Sequence, residues 1–290
     1  MDDVSFSEVA DGIYTCDHAV VEGKNVVIFG QRAAAAVDTG IEPADGKRLV
    51  RLIEGRGFEA RRLVLTHGHA DHVFGSGAFR GADVYTGVLC ADVMREQIPR
   101  WKERYGTDPA DCRQGWAWPS VTFTDRMFID LGDVTLDLFP VPGHSRDSIC
   151  VYVPERRLLV GGDTVVRAIV PAVFHDGRQL VGSLQRIAGL DVEVLVPGHG
   201  EVLRGRRSIQ SWIMRLVEYL STVRERIRKA VAAGMAEADI PEAVPADELL
   251  PAELDRAKYG MERRHRMVVD KLMAEETAVR NGRGGGEPAC

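Results

Sequence analysis

Residues 66–72 constrain this 290-residue chain most, because they place three histidines and one aspartate within six consecutive positions. The segment reads Thr66-His67-Gly68-His69-Ala70-Asp71-His72. Neutral imidazole nitrogens and carboxylate oxygens are donors that suit Zn²⁺ and related divalent cations. In an extended segment His67 and His69 point to the same side, because side chains repeat every two residues. The spacing therefore predicts a metal-binding loop.

Three short apolar runs further along the chain precede a second set of candidate ligands. The runs at 136–141, 157–160 and 192–196 are rich in Val and Leu and end in Gly or Pro, which is typical of strands followed by tight turns. The motifs after them are Pro142-Gly143-His144-Ser145, Gly161-Gly162-Asp163-Thr164 and Pro197-Gly198-His199-Gly200. Five of the eight histidines fall within these four segments, which favours one shared metal site over unrelated turn histidines.

The pattern His-x-His-x-Asp-His, followed by His, Asp and His at strand ends, resembles the metallo-β-lactamase superfamily of metal-dependent hydrolases. The resemblance covers roughly residues 8–205. It implies an α/β fold, a four-layer αββα sandwich with the metals at one edge. It also implies that His67, His69 and His144 hold one ion, that Asp71, His72 and His199 hold the other, and that Asp163 bridges them. Asp38, in Val37-Asp38-Thr39-Gly40, resembles an early family motif whose aspartate supports the ligand loops.

Two divalent ions would supply the chemistry. A pair of cations that share one water lower its pKa from about 16 towards ~7, so hydroxide is available at neutral pH to attack carbon or phosphorus. We expect Asp71 to be catalytic as a proton acceptor or donor. Zn²⁺ suits the nitrogen and oxygen ligands, and Fe or Mn²⁺ would also fit. Ser145 lacks the nucleophile-elbow context, which argues against a serine hydrolase.

The leading hypothesis is hydrolysis of an ester, thioester or lactone of a small, partly apolar substrate, including a carrier-bound thioester. A phosphodiesterase is an alternative, although the sequence has no basic funnel for a polynucleotide. β-Lactam opening is another, but some β-lactamases of this fold have a cysteine where this chain has Asp163. A mononuclear iron oxygenase and a non-catalytic binding protein are alternatives of other classes. The complete ligand set argues against the binding protein.

An aromatic-rich insertion at residues 88–128 is one candidate wall of a substrate pocket. It holds three of the four tryptophans, and its candidate contacts are Trp101, Tyr105, Trp116 and Trp118. These side chains form either a lid near the metals or a hydrophobic cluster beneath a long loop.

The segment at 167–175, just after Asp163, is a second candidate wall. We expect Phe174 to contribute an apolar surface there. Arg167 and His175 are either contacts for a polar or anionic group of the substrate or exposed loop residues.

The periodicity predicts a catalytic domain over 1–206, a C-terminal helical extension over 207–278 and a disordered tail over 279–290. Within them, helices are predicted at 43–57, 88–105 and 207–233, with more helix at 249–276. The apolar stripe of the 207–233 helix packs on the sandwich or on a second subunit, so a homodimer is one expectation. His265 is either a pocket residue or, as we favour, a surface histidine.

Composition limits the partners and the cellular location that we expect for this chain. The chain has 37 basic and 43 acidic residues and no long basic run, which argues against a nucleic-acid partner. The first five residues are acidic and lack an apolar core for a secretory signal, and no apolar run approaches the ~20 residues that span a bilayer. The five scattered cysteines are typical of reduced thiols. We therefore expect a cytoplasmic protein without a membrane partner.

Overall fold

The apolar runs of the sequence form two β-sheets that pack face to face in this computed structural model. The structure describes residues 5–18, 20–109 and 115–280. Within them, the first sheet has seven strands in chain order, and strands four to seven run parallel. They are β1 (Ser7–Ala10), β2 (Ile13–His18), β3 (Gly23–Phe29), β4 (Ala34–Val37), β5 (Arg62–Val64), β6 (Asp83–Gly87) and β7 (Val121–Phe123).

The second sheet is mainly antiparallel and carries the later motifs. Its strands are β8 (Met127–Asp130), β9 (Thr135–Pro140), β10 (Ile149–Val153), β11 (Leu158–Val160), β12 (Val194–Val196) and β13 (Leu203–Arg204). Their order across the sheet is β13-β12-β11-β10-β9-β8. The β11–β12 pair is parallel, so the loops that follow these two strands leave the same edge of the sheet.

The facing sides of the two sheets form the central core. Alternate residues of β3 and of β9 are buried in one apolar cluster, among them Val26, Ile28, Leu136 and Leu138. This alternation is expected of strands whose two faces meet different layers.

Helices cover the outer face of the first sheet. They are α1 (Pro43–Gly55), α2 (Ala70–Val73), α3 (Cys90–Glu96) and α4 (Ile98–Tyr105). Leu49 and Ile53 of α1 are fully buried against this sheet. The single helix predicted at 88–105 is wrong, since two short helices meet at Gln97. Pro99, in the first turn of α4, has no N–H to continue the α3 hydrogen-bond ladder.

A second helical layer covers the other sheet. It contains α5 (Gly177–Ala188), α6 (Arg206–Ala232), α7 (Ala246–Leu249) and α8 (Met261–Arg280). Asp176 caps α5 by accepting hydrogen bonds from the backbone N–H groups of Arg178 and Gln179. The buried face of α6 belongs to the same apolar cluster as the outer face of the second sheet and part of α8. The C-terminal helices therefore share one core with the sandwich.

The predicted αββα class, with its additional C-terminal helices, is confirmed. The helices predicted at 43–57 and 207–233 are also confirmed, within two residues at each end. The predicted tail starts too early, since α8 continues to Arg280; residues 281–290, like Cys112, lie outside the described residues. No helix in the described part of the chain has the length and hydropathy needed to cross a bilayer.

Candidate metal centre

All seven candidate ligands follow strands at one edge of the two sheets. His67 and His69 lie just after β5, and α2 begins immediately afterwards with Asp71 and His72 in its first turn. His144 comes after β9, Asp163 lies in a 3₁₀ turn after β11, and His199 follows β12. Strands from both sheets thus bring ligands that are distant in sequence to one place.

The first group of donors is His67, His69 and His144. His67 Nε2 and His144 Nε2 each lie 3.0 Å from His69 Nδ1. The three donor atoms lie within 4.8 Å of one another. Their ring nitrogens therefore converge on one small volume.

The second group is Asp71, His72 and His199, whose donor atoms also lie within 4.8 Å of one another. Asp71 Oδ2 is 3.5 Å from His199 Nε2. These three side chains form a separate set of donors beside the first.

Asp163 lies between the two groups. Its Oδ2 is 3.4 Å from His144 Nε2. Its Oδ1 is 3.2 Å from His72 Nε2 and 3.3 Å from His199 Nε2. One carboxylate oxygen thus faces each group.

Asp38 supports the ligand loops from behind, as the resemblance implied. Its Oδ2 lies 2.8 Å from His72 Nδ1, and its Oδ1 accepts a 2.8 Å hydrogen bond from the backbone N–H of Thr66. The Thr66 hydroxyl donates to Asp38 Oδ2 at 2.7 Å and lies 3.1 Å from His67 Nδ1. Asp38 adopts a left-handed backbone conformation with φ of 58°, which is uncommon for aspartate. Two ligand histidines are therefore oriented through one buried carboxylate.

Backbone carbonyls orient two further histidines. His144 Nδ1 lies 2.9 Å from the carbonyl oxygen of Ala172, and His199 Nδ1 lies 3.1 Å from that of Val21. In the neutral tautomer whose Nδ1 donates to a carbonyl, the lone pair is on Nε2. Each of these Nε2 lone pairs then faces the cluster.

Asp147 ties two ligand loops together, although it is not a candidate ligand. Its Oδ2 accepts a 2.7 Å hydrogen bond from the backbone N–H of Gly68, between His67 and His69. Its Oδ1 accepts a hydrogen bond from the hydroxyl of Ser145, next to His144. Ser145 is buried and bonded in this way, so its hydroxyl is not positioned as a nucleophile.

The electrostatics divide the cluster into neutral imidazoles and carboxylate-paired ones. Burial lowers the pKa of His67 well below its usual value, lowers that of His69, and lowers that of His144 to about 4. Burial also acts to lower the pKa of His72, but Asp163 and Asp38 outweigh it and raise that pKa well above the usual value.

The carboxylates remain ionised. Burial would raise the pKa of Asp163, but His199, His72 and His144 hold it well below its usual range. Burial also acts to raise the pKa of Asp71, but the neighbouring histidines, His72 first, together outweigh it and lower that pKa. Metal ligands are ionised carboxylates and neutral imidazoles, so His72 and His199, whose pKa values are raised mainly by Asp163 against the effect of burial, would release a proton on binding a metal.

These residues fit divalent cations. His72 Nε2 and Asp163 Oδ1 are buried without a hydrogen-bond partner of good geometry, and buried polar atoms are seldom left in that state. Nitrogens held 2.0–2.1 Å from a tetrahedral Zn²⁺ lie about 3.3 Å apart, close to the 3.0 Å separations here. The donor set contains only nitrogen and oxygen, which suits Zn²⁺, Fe or Mn²⁺.

Five of the seven candidate ligands form the floor of a cavity of about 560 Å³; they are His69, Asp71, His144, Asp163 and His199. Its walls are mainly apolar where the segment after Asp163 and the loop after β2 meet it. The apolar lining residues are Val20, Val21, Val166, Ile169, Ala172, Phe174 and Met267. The charged and amide side chains outside the ligand set are Glu96, Gln97, Arg100 and Arg264.

The aromatic residues of the insertion do not line this cavity. Trp101 and Trp116 are 1% and 2% exposed and pack around Phe74 on the outer side of the first sheet. Tyr105 and Trp118 contact the same cluster. Of the two interpretations, the structure favours the hydrophobic cluster, because the indoles cover the helix-facing side of the sheet and not the ligand edge.

Phe174 is the predicted substrate contact that lines the cavity, and its ring lies 5.0 Å from that of His69. Arg167 is instead stacked on Trp212 of α6, with its guanidinium carbon 4.1 Å from the ring centroid, while its backbone N–H donates to the carbonyl of His199 at 2.7 Å. His175 is half-buried, and its backbone N–H donates to the carbonyl of Gly143. Neither of these two side chains is part of the lining.

His18, at the end of β2, lies beside the candidate ligands although no motif in the sequence marks it. Its ring lies 6.4 Å from that of His72 and 6.1 Å from that of His199. It packs on Gly23, where a Cβ atom would lie 2.0 Å from His18 Nε2. Burial lowers the pKa of His18 to about 3, so it is a neutral ring behind the ligands. A histidine that ends an alternating strand was the one signal for it.

Both expectations for His265 are wrong. This residue is 4% exposed, its Nδ1 lies 2.9 Å from the Tyr219 hydroxyl, and its Nε2 lies 2.8 Å from the carbonyl of Val244. It joins α6 to α8 in the interior, because both ring nitrogens find partners there.

Comparisons with known proteins show the family of this chain. The model of the metallo-beta-lactamase superfamily matches residues 21–199. The beta-lactamase-like protein 2 homolog of Caenorhabditis elegans is 26% identical over 215 residues, which is 73% of this chain and 65% of that protein. The human acyl-coenzyme A thioesterase MBLAC2 is 28% identical over 226 residues, which covers 66% of this chain and 79% of the relative.

A solved structure shows the same fold. The metallo-beta-lactamase from Pontibacter korlensis superimposes with a TM-score of 0.58 and 21% identity, covering 74% of this chain and 99% of that one.

An αββα sandwich with histidine and aspartate donors from both halves at one edge defines a metal-dependent hydrolase. The chain belongs to the metallo-β-lactamase superfamily, whose family model spans more than half of it.

Proposed function

We propose that this protein hydrolyses an acyl bond in a small and partly apolar substrate. A thioester is the substrate class that we favour, before an ester or a lactone. The observation that carries the proposal is the position of five of the seven donors at the floor of a cavity whose walls are mostly aliphatic or aromatic, with the other two donors directly behind them. Similarity to an acyl-coenzyme A thioesterase supports the thioester in particular.

We propose two divalent ions, Zn²⁺ before Fe or Mn²⁺, as the cofactors. His67, His69 and His144 would hold one, Asp71, His72 and His199 the other, and Asp163 would contact both. When bound, such ions supply Lewis acidity and lower the pKa of water to near neutrality. The orienting bonds from Asp38 and from the carbonyls of Ala172 and Val21 keep the donor atoms of the histidines in place.

In the reaction, water adds to the acyl carbon and the carbon–sulfur bond breaks, giving a carboxylate, a thiol and one proton. Asp71 is the group we assign to proton transfer, because it lines the cavity and is ionised. It can accept a proton from the attacking water and return it to the leaving sulfur. The wall formed by Val166, Ile169 and Phe174 would hold the acyl group and exclude bulk water.

The test is a panel of small esters, thioesters and lactones assayed with metal-loaded protein, alongside elemental analysis of bound metal. We expect turnover of thioesters and about two divalent ions per chain. His69→Ala and Asp163→Ala should lose metal and at least about a hundredfold in kcat/KM, since even residues that only orient ligands cost 10–100-fold. His175→Gln removes an imidazole that is not in the cluster, and it should retain metal and turnover.

Two outcomes would contradict the proposal. If the loaded protein is inert towards the whole panel but cleaves bis-p-nitrophenyl phosphate, the reaction is phosphodiester hydrolysis. If it holds one iron per chain and consumes oxygen with a substrate, it is an oxygenase.

A further inference from the structure

Helix α8 contributes two residues to the wall of the cavity, and both lie outside the segment that matches the family model. Arg264 and Met267 line the same space as Asp71, Asp163 and His199. The family model ends at residue 199. This part of the wall is therefore specific to the C-terminal helices of the chain.

The backbone around α8 holds Arg264 in a defined place. Its Nε donates a 3.0 Å hydrogen bond to the carbonyl of Tyr259, just before the helix. The Tyr259 hydroxyl donates to Glu22 at 2.6 Å, and the carbonyl of Glu22 accepts from the backbone N–H of Gly200, next to His199. Since Nε is used in this way, the two terminal Nη groups of Arg264 remain for another partner.

Arg264 has no carboxylate partner in the described part of the chain. Among the described residues, the hydrogen bond to Tyr259 is the one polar contact of its side chain. The lining residue Glu96 pairs with Arg146 at 2.6 Å and so does not balance Arg264. Arg100 of α4, the other arginine of the lining, is also without an ion pair among the described residues.

The charges of neighbouring side chains do not explain why an arginine lies at position 264 in the cavity wall. It is half-buried, and burial lowers the pKa of its guanidinium while Asp163 and Asp71 raise it. Two bound divalent ions would outweigh those two carboxylates, so an additional cation would be repelled by the loaded centre. A half-buried cation without a partner beside such a centre is costly unless an anion joins it.

We propose that Arg264 binds an anionic group of the substrate, with Arg100 as a second cation of the same cavity. The substrate is then an acyl compound that carries a carboxylate or phosphate, with its apolar part against Phe174 and Met267. This inference rests on the proposed acyl hydrolysis and adds a charge to its substrate. Arg264 is a specificity-determining residue and takes no part in bond breaking.

Three thioesters that share one five-carbon acyl frame test the proposal. Pentanoyl-N-acetylcysteamine is neutral, glutaryl-N-acetylcysteamine carries a carboxylate on the acyl group, and pentanoyl-coenzyme A carries phosphates on the leaving thiol. We expect wild-type protein to prefer at least one of the anionic thioesters over the neutral one. The anionic thioester that is preferred shows whether the charge of the substrate lies on the acyl group or on the leaving thiol.

Arg264→Gln should raise KM for the preferred anionic thioester by about ten- to a hundredfold, the range expected for a hydrogen bond to a charged group, with little change in kcat. Turnover of the neutral thioester should fall far less. Arg263→Gln is the matched control, because it removes the same charge from the neighbouring, exposed position of α8. Arg100→Gln should show a smaller change of the same sign, since Arg100 is more exposed.

Several results would overturn the proposal. Wild-type protein could show no preference for either anionic thioester, Arg264→Gln could slow the neutral thioester to the same degree, or Arg263→Gln could have an equal effect. Each leaves acyl hydrolysis itself intact, because the neutral thioester reports on it. Absence of turnover with all three thioesters would instead contradict the proposed function.

Discussion

Two aromatic regions of this chain were candidates for the same role, and the structure separates them. The tryptophans of residues 88–128 pack with Phe74 over the outer side of the first sheet, whereas Phe174 lies at the ligand edge beside His69 and His144. Trp116 is 2% exposed and Phe174 is 53% exposed. Large aromatic side chains in an insertion are as suited to covering a sheet as to binding a ligand. What distinguishes the two is the edge of the sheet to which each segment is attached.

The largest expected effect follows from the buried cluster. Trp116→Ala should lower the free energy of unfolding by about 3–5 kcal/mol, because it leaves a cavity between Phe74 and Trp101. Denaturant unfolding measures this, and metal content per folded chain should not change. A loss of metal without a loss of stability would show instead that this aromatic cluster is part of the metal site.

In the candidate metal centre we expect the opposite pattern, in which a substitution changes metal affinity. Asp147→Asn weakens the acceptor for Gly68 and Ser145, so we expect metal affinity to fall by about 10–100-fold, as for other groups that orient ligands. Competition with a chelator measures the affinity. Asp137→Asn is the control, because Asp137 is an equally buried aspartate that pairs with Arg126 away from the ligands. Equal losses of affinity in both variants would show that Asp147 has no particular role in the site.

A smaller effect tests the cavity wall itself. Phe174→Ala should change the free energy of unfolding by no more than about 0.5 kcal/mol, because the ring is half exposed. It should raise KM for an apolar acyl substrate about fivefold, equivalent to roughly 1 kcal/mol of lost apolar contact. Phe128→Ala, at a similarly exposed position elsewhere, should leave KM unchanged. An unchanged KM in Phe174→Ala would remove Phe174 from the substrate wall.

The smallest expected effect is a pH dependence of stability. The rings of Phe74, Trp101 and Trp116 do not titrate, whereas the helical layer on the other sheet contains a buried histidine, His265 of α8. Burial lowers the pKa of His265 below the value of about 6.5 that it has when unfolded. Its contribution to stability is therefore complete above pH 6.5 and is lost as pH falls below that value, by at most about 1.4 kcal/mol per pH unit.

Denaturant unfolding at pH 7.5 and 5.5 checks this sign. We expect the decrease in stability between the two pH values to be smaller in His265→Gln than in the wild-type protein. An equal decrease in both would show that His265 does not contribute to the acid sensitivity.

Much of the site follows from sequence because its residues are local to strand ends. The run from His67 to His72 contains four of the seven candidate ligands, and Gly or Pro marks the ends of the strands that precede His144, Asp163 and His199. The supporting role of Asp38 is confirmed by its bonds to His72 and Thr66.

The remaining features depend on tertiary packing, which has no local signal. Arg264 is one of 37 basic residues, and its place at the cavity depends on how α8 lies across α6. The same packing buries His265, a residue that sequence alone favoured as exposed. The break between α3 and α4 did have a signal, Pro99, but helical periodicity on both sides of it obscured the boundary.

The carbonyl and carboxylate partners of the ligand histidines have one more consequence. Since hydrogen bonds within the folded chain fix the imidazoles of His72, His144 and His199, the donor atoms of the candidate metal centre are in place before any ion binds. We therefore expect that bound metal can be removed and restored without unfolding the protein. The apoprotein should therefore accept different divalent ions in turn without refolding.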